Sequence, residues 1–205
     1  KTGQFDVVQY LHEAGAAMDS VAEDGANALI ASAQFGHLRV SEYLVSQGAD
    51  VNARMDDGLT ALMLASREGH PGIVRLLLQN DAEIDARRES GHDALMHACI
   101  DGHSEVVSEL LDAGVTLTTQ LNSGETALII SARRGHLEVV EQLLDAGVDA
   151  EHLADGGFNA LMIASQFGHA GVVGRLIEHG VDVNQTMPDG WVALMHAAYS
   201  GNLTV

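Results

Sequence analysis

The chain has 205 residues, and only 4% of them are aromatic, so Leu, Val, Ile and Ala must carry any core it builds. Its 29 acidic residues against 10 basic give a formal charge of -19, a field that opposes binding to nucleic-acid phosphates or an anionic membrane. One cysteine, Cys99, excludes an internal disulfide framework and fits a reducing, intracellular and cytoplasmic compartment, while no apolar run approaches the ~18–20 residues of a membrane span.

Glycine recurs at Gly25, Gly58, Gly91, Gly124, Gly157 and Gly190 with a constant step of 33 residues. This frame predicts a partial unit over 1–23, complete units over 24–56, 57–89, 90–122, 123–155 and 156–188, and a partial unit over 189–205. The pair Gly-His keeps register at Gly36-His37, Gly69-His70, Gly102-His103, Gly135-His136 and Gly168-His169, with Gly3-Gln4 and Gly201-Asn202 as variants at the ends. Lys1 falls just before such a position and Val205 inside a second helix, so further repeats are expected outside the segment.

Within each unit the elements follow in a fixed order. Asn27, Thr60, Asp93, Thr126 and Asn159 precede a short apolar stretch and can cap a helix through a side-chain oxygen; Val192 cannot. The helix so begun, "ALMLASRE" in one copy, is predicted to stop at the glycine of the Gly-His pair. Small residues at Ala65, Ala98, Ser131, Ala164 and Ala197 permit close backbone approach. A second helix of the type "LEVVEQLLDAG" places Leu137, Val140, Leu143 and Leu144 at helical spacing. It contains the strict leucine series Leu11, Leu44, Leu77, Leu110, Leu143 and Leu176. It ends at a second glycine series, Gly15, Gly48, Gly114, Gly147 and Gly180, whose one gap is Asp81. The remaining ten or so residues, such as "ADVNARMDDG", are polar and turn-rich and predict a hairpin-like connection. Neither helix alone buries its apolar face, but stacked neighbours do, so the fold class is an all-α repeat solenoid of helix-turn-helix units joined by hairpin-like loops.

The unit "DGLTALMLASREGHPGIVRLLLQNDAEIDA" resembles the ankyrin repeat, and the likeness extends over the whole chain. The family's Thr-Pro-Leu-His box reads here as "TALM", "TALI", "NALI", "NALM", "DALM" and "VALM", with Ala in place of Pro and an apolar residue in place of His. The resemblance implies a non-catalytic module that binds another protein on a concave face built from hairpin tips and the exposed part of the first helices. Asn52 and Asn184 also resemble ankyrin asparagines that asparaginyl hydroxylases modify.

Carried onto this frame, the face takes in Phe35, Phe158, Phe167, Trp191 and Tyr199, five of the eight aromatics, four of them in the last two units. Trp and Tyr bury much area at little rotamer cost, which suits them to anchoring a partner. Alternatively, Trp191 and Phe158, one repeat apart, stack on each other and cover hairpin backbone. Arg54, Arg67, Arg87, Arg88, Arg133 and Arg134, six of nine arginines, fall on or beside the same face. They form either a cationic band that orients acidic side chains of a partner or a set of pairs with Asp56, Glu68, Glu89 and Asp101.

The repeated histidines are expected to serve backbone partners, since stacked helices lie ~8–10 Å apart and zinc requires ligand approach to ~2 Å. His92, His97 and His103 group within one unit without carboxylates or cysteines at ligand spacing. Cys99 lies in a small-residue core column beside Ser66 and Ala132, where it is expected to be buried and inert. With no phosphate loop or nucleophile elbow, no catalytic residue, metal, cofactor, small-molecule substrate, nucleic-acid partner or membrane insertion is assigned. An architectural spacer and a targeting domain for an enzyme encoded outside this segment are the competing roles.

Overall fold

Five of the six short helices begin on a side-chain oxygen. In the computed structural model, which describes residues 3–201, Asn27 accepts from the Ile30 N–H at 2.9 Å and Thr60 from Met63 at 3.2 Å. Asp93 accepts from Met96 at 2.8 Å, Thr126 from Ile129 at 3.5 Å and Asn159 from Met162 at 2.9 Å. These bonds occupy N–H groups that a helix start otherwise leaves unpaired. Val192 provides none.

The caps start a first row of helices: α2 (Ala28–Gln34), α4 (Ala61–Arg67), α6 (Ala94–Asp101), α8 (Ala127–Arg134), α10 (Ala160–Phe167) and α12 (Ala193–Tyr199). A second row runs beside it: α1 (Gly3–Glu13), α3 (Leu38–Ser46), α5 (Pro71–Leu78), α7 (Ser104–Asp112), α9 (Leu137–Asp145) and α11 (Ala170–Glu178). Each helix packs on the next of its own row, and α2, α4, α6, α8 and α10 each pack on the second-row helix that follows them. Asn202 and the second-row helix expected after it lie outside the described residues.

The core is one continuous slab between the rows. Leu29, Leu62, Leu95, Leu128 and Leu161 fill one column and Leu44, Leu77, Leu110, Leu143 and Leu176 another, all at most 2% exposed. Each such burial stabilises by roughly 1.5–3 kcal/mol, which is how a chain poor in rings sustains a core. The box position that lacks the family's His holds Ile30, Met63, Met96, Ile129 and Met162, each 1% exposed, so it serves as apolar filling. One expectation fails locally. Leu137 is 38% exposed and Val139 takes the buried place, because Leu137 lies over Gly171 of the next second-row helix, whose missing side chain makes room for it.

The Gly-His pair joins successive units. His70, His103, His136 and His169 each donate through Nε2 to a carbonyl in the preceding unit, those of Gln34, Arg67, Ile100 and Arg133, at 3.3, 2.8, 3.1 and 2.9 Å. Each ring lies over the preceding unit's glycine: a Cβ on Gly102 would stand 2.5 Å from His136 Nδ1, and one on Gly135 2.5 Å from His169 Nδ1. Glycine is needed there for the left-handed turn and for the ring above it.

The connections contain no strand among the described residues, only antiparallel bridges at Arg54 with Thr60 and Gln120 with Thr126. A hairpin-like bond closes every tip, from Ala22 N–H to Ala26 O at 2.9 Å through Met187 N–H to Trp191 O at 2.8 Å. At three junctions a side chain of one column then reaches a backbone N–H of the next hairpin. Asn52 Oδ1 accepts from Glu83 N–H at 2.8 Å, Asp85 Oδ1 from Thr116 N–H at 2.9 Å and Glu151 Oε1 from Asp182 N–H at 2.7 Å. Thr118 holds the same place without that bond and borders a cleft of about 140 Å³ with Gly147, Val148 and Asp149.

Candidate functional site

The hairpin tips and the first-row helices present four side chains per unit on one face. After the tip glycine come Ala26, Leu59, His92, Glu125, Phe158 and Trp191. Mid-helix come Ala31, Leu64, His97, Ile130, Ile163 and His196. At the helix end stand Gln34, Arg67, Ile100, Arg133, Gln166 and Tyr199, then Phe35, Glu68, Asp101, Arg134, Phe167 and Ser200. The large apolar members of the mid-helix column are buried, with Leu64 at 2%, Ile130 at 6% and Ile163 at 5% exposure, while Ala31 is exposed, so the variable outer columns determine most of the character of the face.

The arginines are largely committed within the chain. Arg54 pairs with Glu83 at 2.8 Å, Arg67 with Glu68 at 2.9 Å and Arg88 with Asp57 at 2.7 Å, while Arg133 pairs with Glu125. Arg87 donates to the carbonyls of Gly91, at 3.1 Å, and Gln120. Of the carboxylates expected as partners, Glu68 is one; Asp56, Glu89 and Asp101 are replaced by Glu83 and Asp57, which the stacked hairpins bring within reach of Arg54 and Arg88, and by Glu125 of Arg133's own unit. Arg134 is exposed and has no carboxylate partner among the described residues. Burial and the neighbouring Arg134 charge hold the Arg133 guanidinium below its ordinary range. Four of the six cations are thus neutralised pair by pair.

The aromatics divide into two groups. Phe158 and Trp191 do not stack on each other; His196 lies against both, with ring centroids 5.1 Å from Phe158 and 5.0 Å from Trp191, and its Nε2 is 3.1 Å from Met187 Sδ. Tyr199 meets Trp191 edge-on at 5.7 Å and is 81% exposed. Phe35 and Phe167 are 66% and 53% exposed, and each rests one side on the histidine of its own turn, His37 at 6.4 Å and His169 at 6.3 Å.

Phe158 and Phe167 border a solvent-open groove of about 390 Å³ between α8 and α10, with Ala154 and Ile163 beneath and the Arg133–Glu125 pair as its opposite wall. Beyond that wall a smaller depression of about 190 Å³ is lined by His92, Ile100, Leu121, Ile130 and Arg134. Asp155, Ser123 and Gln166 complete the rim of the larger groove.

The buried titratable groups are not arranged for chemistry. His92 and His97 lie with ring centroids 5.5 Å apart, but His103 is turned away to the Arg67 carbonyl, so the three rings do not converge. Among the described residues no three His, Cys, Asp or Glu side chains are placed to hold a metal ion. Burial pushes the His97 imidazole down to about 4 and the Cys99 thiol up to about 12, leaving a neutral ring and an inert thiol at neutral pH. Asn52 commits its amide to the next hairpin, donating to Asp81 O at 3.1 Å and accepting from Glu83 N–H, whereas Asn184 is exposed.

Two contributors escape a reading based on aromatic and basic residues. Ile163 forms the groove floor from a column otherwise used for packing. His196 centres the ring cluster from the same column, and the sequence signal was there: His97 and His196 stand where Leu64, Ile130 and Ile163 stand in other units.

No helix among the described residues is long and apolar enough to cross a membrane. No curated protein matches the chain. A family model of ankyrin repeats matches it in three copies, over residues 1–88, 81–154 and 132–205. Capped first helices, Gly-His turns and hairpin tips agree with that match along the described residues, and the chain belongs to the ankyrin-repeat family, whose arrays are generally protein–protein interaction modules.

Proposed function

We propose that the chain is a non-catalytic binding module that takes an extended or helical segment of another protein along the face of hairpin tips and first-row helices. Phe167 carries this reading. It lies mid-array with neighbours stacked on both sides, where the column does not require an aromatic ring, yet it is 53% exposed beside an open groove. An exposed ring over an apolar floor, rimmed by polar groups, has the anatomy of an interface anchor. Phe158 and Trp191 extend the apolar surface, Tyr199 and Phe35 flank it, and Arg54, Arg67, Arg87, Arg88, Arg133 and Arg134 frame it. The exposure of Leu194 at 72% and Met195 at 50% has a different origin: their columns are buried wherever a next unit stacks, so they are not counted as part of the site.

The test is capture of partners from lysate of the native cell by the intact chain and by a Phe167→Ala, Trp191→Ala double variant. A partner retained by the first and bound at least tenfold more weakly by the second is expected, the size associated with losing anchor side chains. Equal affinity would remove the anchors. Retention of nothing by the intact chain would favour a spacer.

A further inference from the structure

Which kind of segment fits follows from the charges this face leaves unpaired. Four guanidinium groups are matched to the chain's own carboxylates, Arg54, Arg67, Arg88 and Arg133, and Arg87 is held by backbone carbonyls. Glu23, Asp56, Glu89 and Asp155, by contrast, are exposed, have no ion pair among the described residues, and occupy the same position on successive hairpin tips. Asn122 is the only interruption between Glu89 and Asp155. Asp155 also stands on the rim of the groove floored by Ile163 and bordered by Phe167. The exposed guanidinium of Arg134 lines the smaller depression, beyond the Arg133–Glu125 wall. With a formal charge of -19 on the whole chain, both the local and the long-range field favour a cation.

We propose that the α8–α10 groove receives one bulky apolar side chain of a basic partner segment, whose Lys and Arg residues run along the Asp155, Glu89, Asp56 and Glu23 line. The groove volume of about 390 Å³ stands at the low end of the ~300–1,000 Å³ typical of binding pockets, with room for one bulky apolar side chain. Spacing sharpens the claim. Stacked helices are ~8–10 Å apart, and a segment extended as polyproline II advances ~3.1 Å per residue with about three residues per turn, so every third residue on one side meets a new tip. A basic residue close to the anchor, a gap at Asn122, and basic residues about six, nine and twelve positions from the first compose the matching pattern.

This inference rests on the protein-binding reading, and the experiment separates the two. Random peptides of about 15 residues, long enough to pass five tips at ~3.1 Å per residue, are displayed and selected on the intact chain at roughly physiological ionic strength. Expected is enrichment of a bulky apolar residue with Lys or Arg at three-residue spacing, and affinity that falls tenfold or more in Phe167→Ala. A Glu89→Gln, Asp155→Asn variant, altered only in exposed side chains, should weaken the same peptides about three- to tenfold and flatten their salt dependence. Acidic or neutral winners would overturn the charge assignment and leave the protein-binding reading standing. Basic winners that bind Phe167→Ala within twofold of the intact chain would overturn the groove. No enrichment on the intact chain would remove both.

Discussion

His97 should make the array sensitive to mild acid, and His97→Leu should abolish that sensitivity. Its ring is 5% exposed in the middle of α6, and its buried Nε2 has no hydrogen-bond partner. His92 lies against it, Arg67 and Arg88 further oppose a positive charge, and Asp57 alone favours one. With burial as the largest effect, the folded imidazole titrates near 4 against about 6.5 for an unfolded histidine. Between those values the unfolded chain holds a proton that the folded chain does not, so stability rises with pH. The contribution is fully present above about 6.5 and lost as pH falls toward 4. At about 1.4 kcal/mol per unit, the loss reaches about 3 kcal/mol. Leucine at this place has a precedent in Leu64, 2% exposed, and removes a buried unpaired nitrogen that costs about 1–3 kcal/mol. Urea unfolding of the two proteins should therefore show His97→Leu more stable by about 1–2 kcal/mol near pH 7.5, and that lead should grow by about 3 kcal/mol near pH 4. The carboxylates that protonate over the same range are common to both, so the difference isolates this ring. A lead that stays constant within about 0.5 kcal/mol from pH 7.5 to 4 would refute the reasoning.

Thr118→Asn should supply a bridge that its junction between hairpins lacks, with its amide placed as that of Asn52 is, and raise stability by about 0.5–1.5 kcal/mol in urea melts. Asp81→Gly should stabilise by about 0.5–1 kcal/mol, since Asp81 is a non-glycine residue at φ 62° in a column where the other units have glycine, while its carbonyl bond to Asn52 is unaffected. Gly102→Ala and Gly114→Ala both place a side chain at positive φ, 75° and 81°, but only the first meets a histidine ring; calorimetry should find Gly102→Ala the worse by about 1–2 kcal/mol or more, and equal losses would exclude the ring packing.

The scaffold was almost wholly legible in the sequence because each of its requirements repeats. An N-cap oxygen, a positive-φ glycine and a buried leucine each recur every 33 residues, and a column that recurs can be read without coordinates. The pairing of the arginines was not legible. Arg54 with Glu83 and Arg88 with Asp57 are separated by 29 and 31 residues, offsets set by how far a side chain on one hairpin reaches along the next rather than by the repeat itself. The role of the Gly-His histidine was anticipated as a backbone bond, but its second role, covering the preceding glycine, follows only from the stacking distance between units.

Departures from a column are the harder case. Phe167 among Glu68, Asp101 and Arg134, and His97 among Leu64, Ile130 and Ile163, are equally conspicuous on paper. Their consequences are opposite because the two columns face different surroundings: the end of the first-row helix is open, so a ring there is 53% exposed, whereas the mid-helix column is closed over, so an imidazole there is 5% exposed. The first departure leaves apolar surface in water, which a partner can cover with gain. The second buries a polar atom without a partner, which costs folding free energy and ties stability to pH. Binding and stability in this array thus depend on odd residues of different columns, and Phe167→Ala should weaken the first while leaving the pH dependence set by His97 intact.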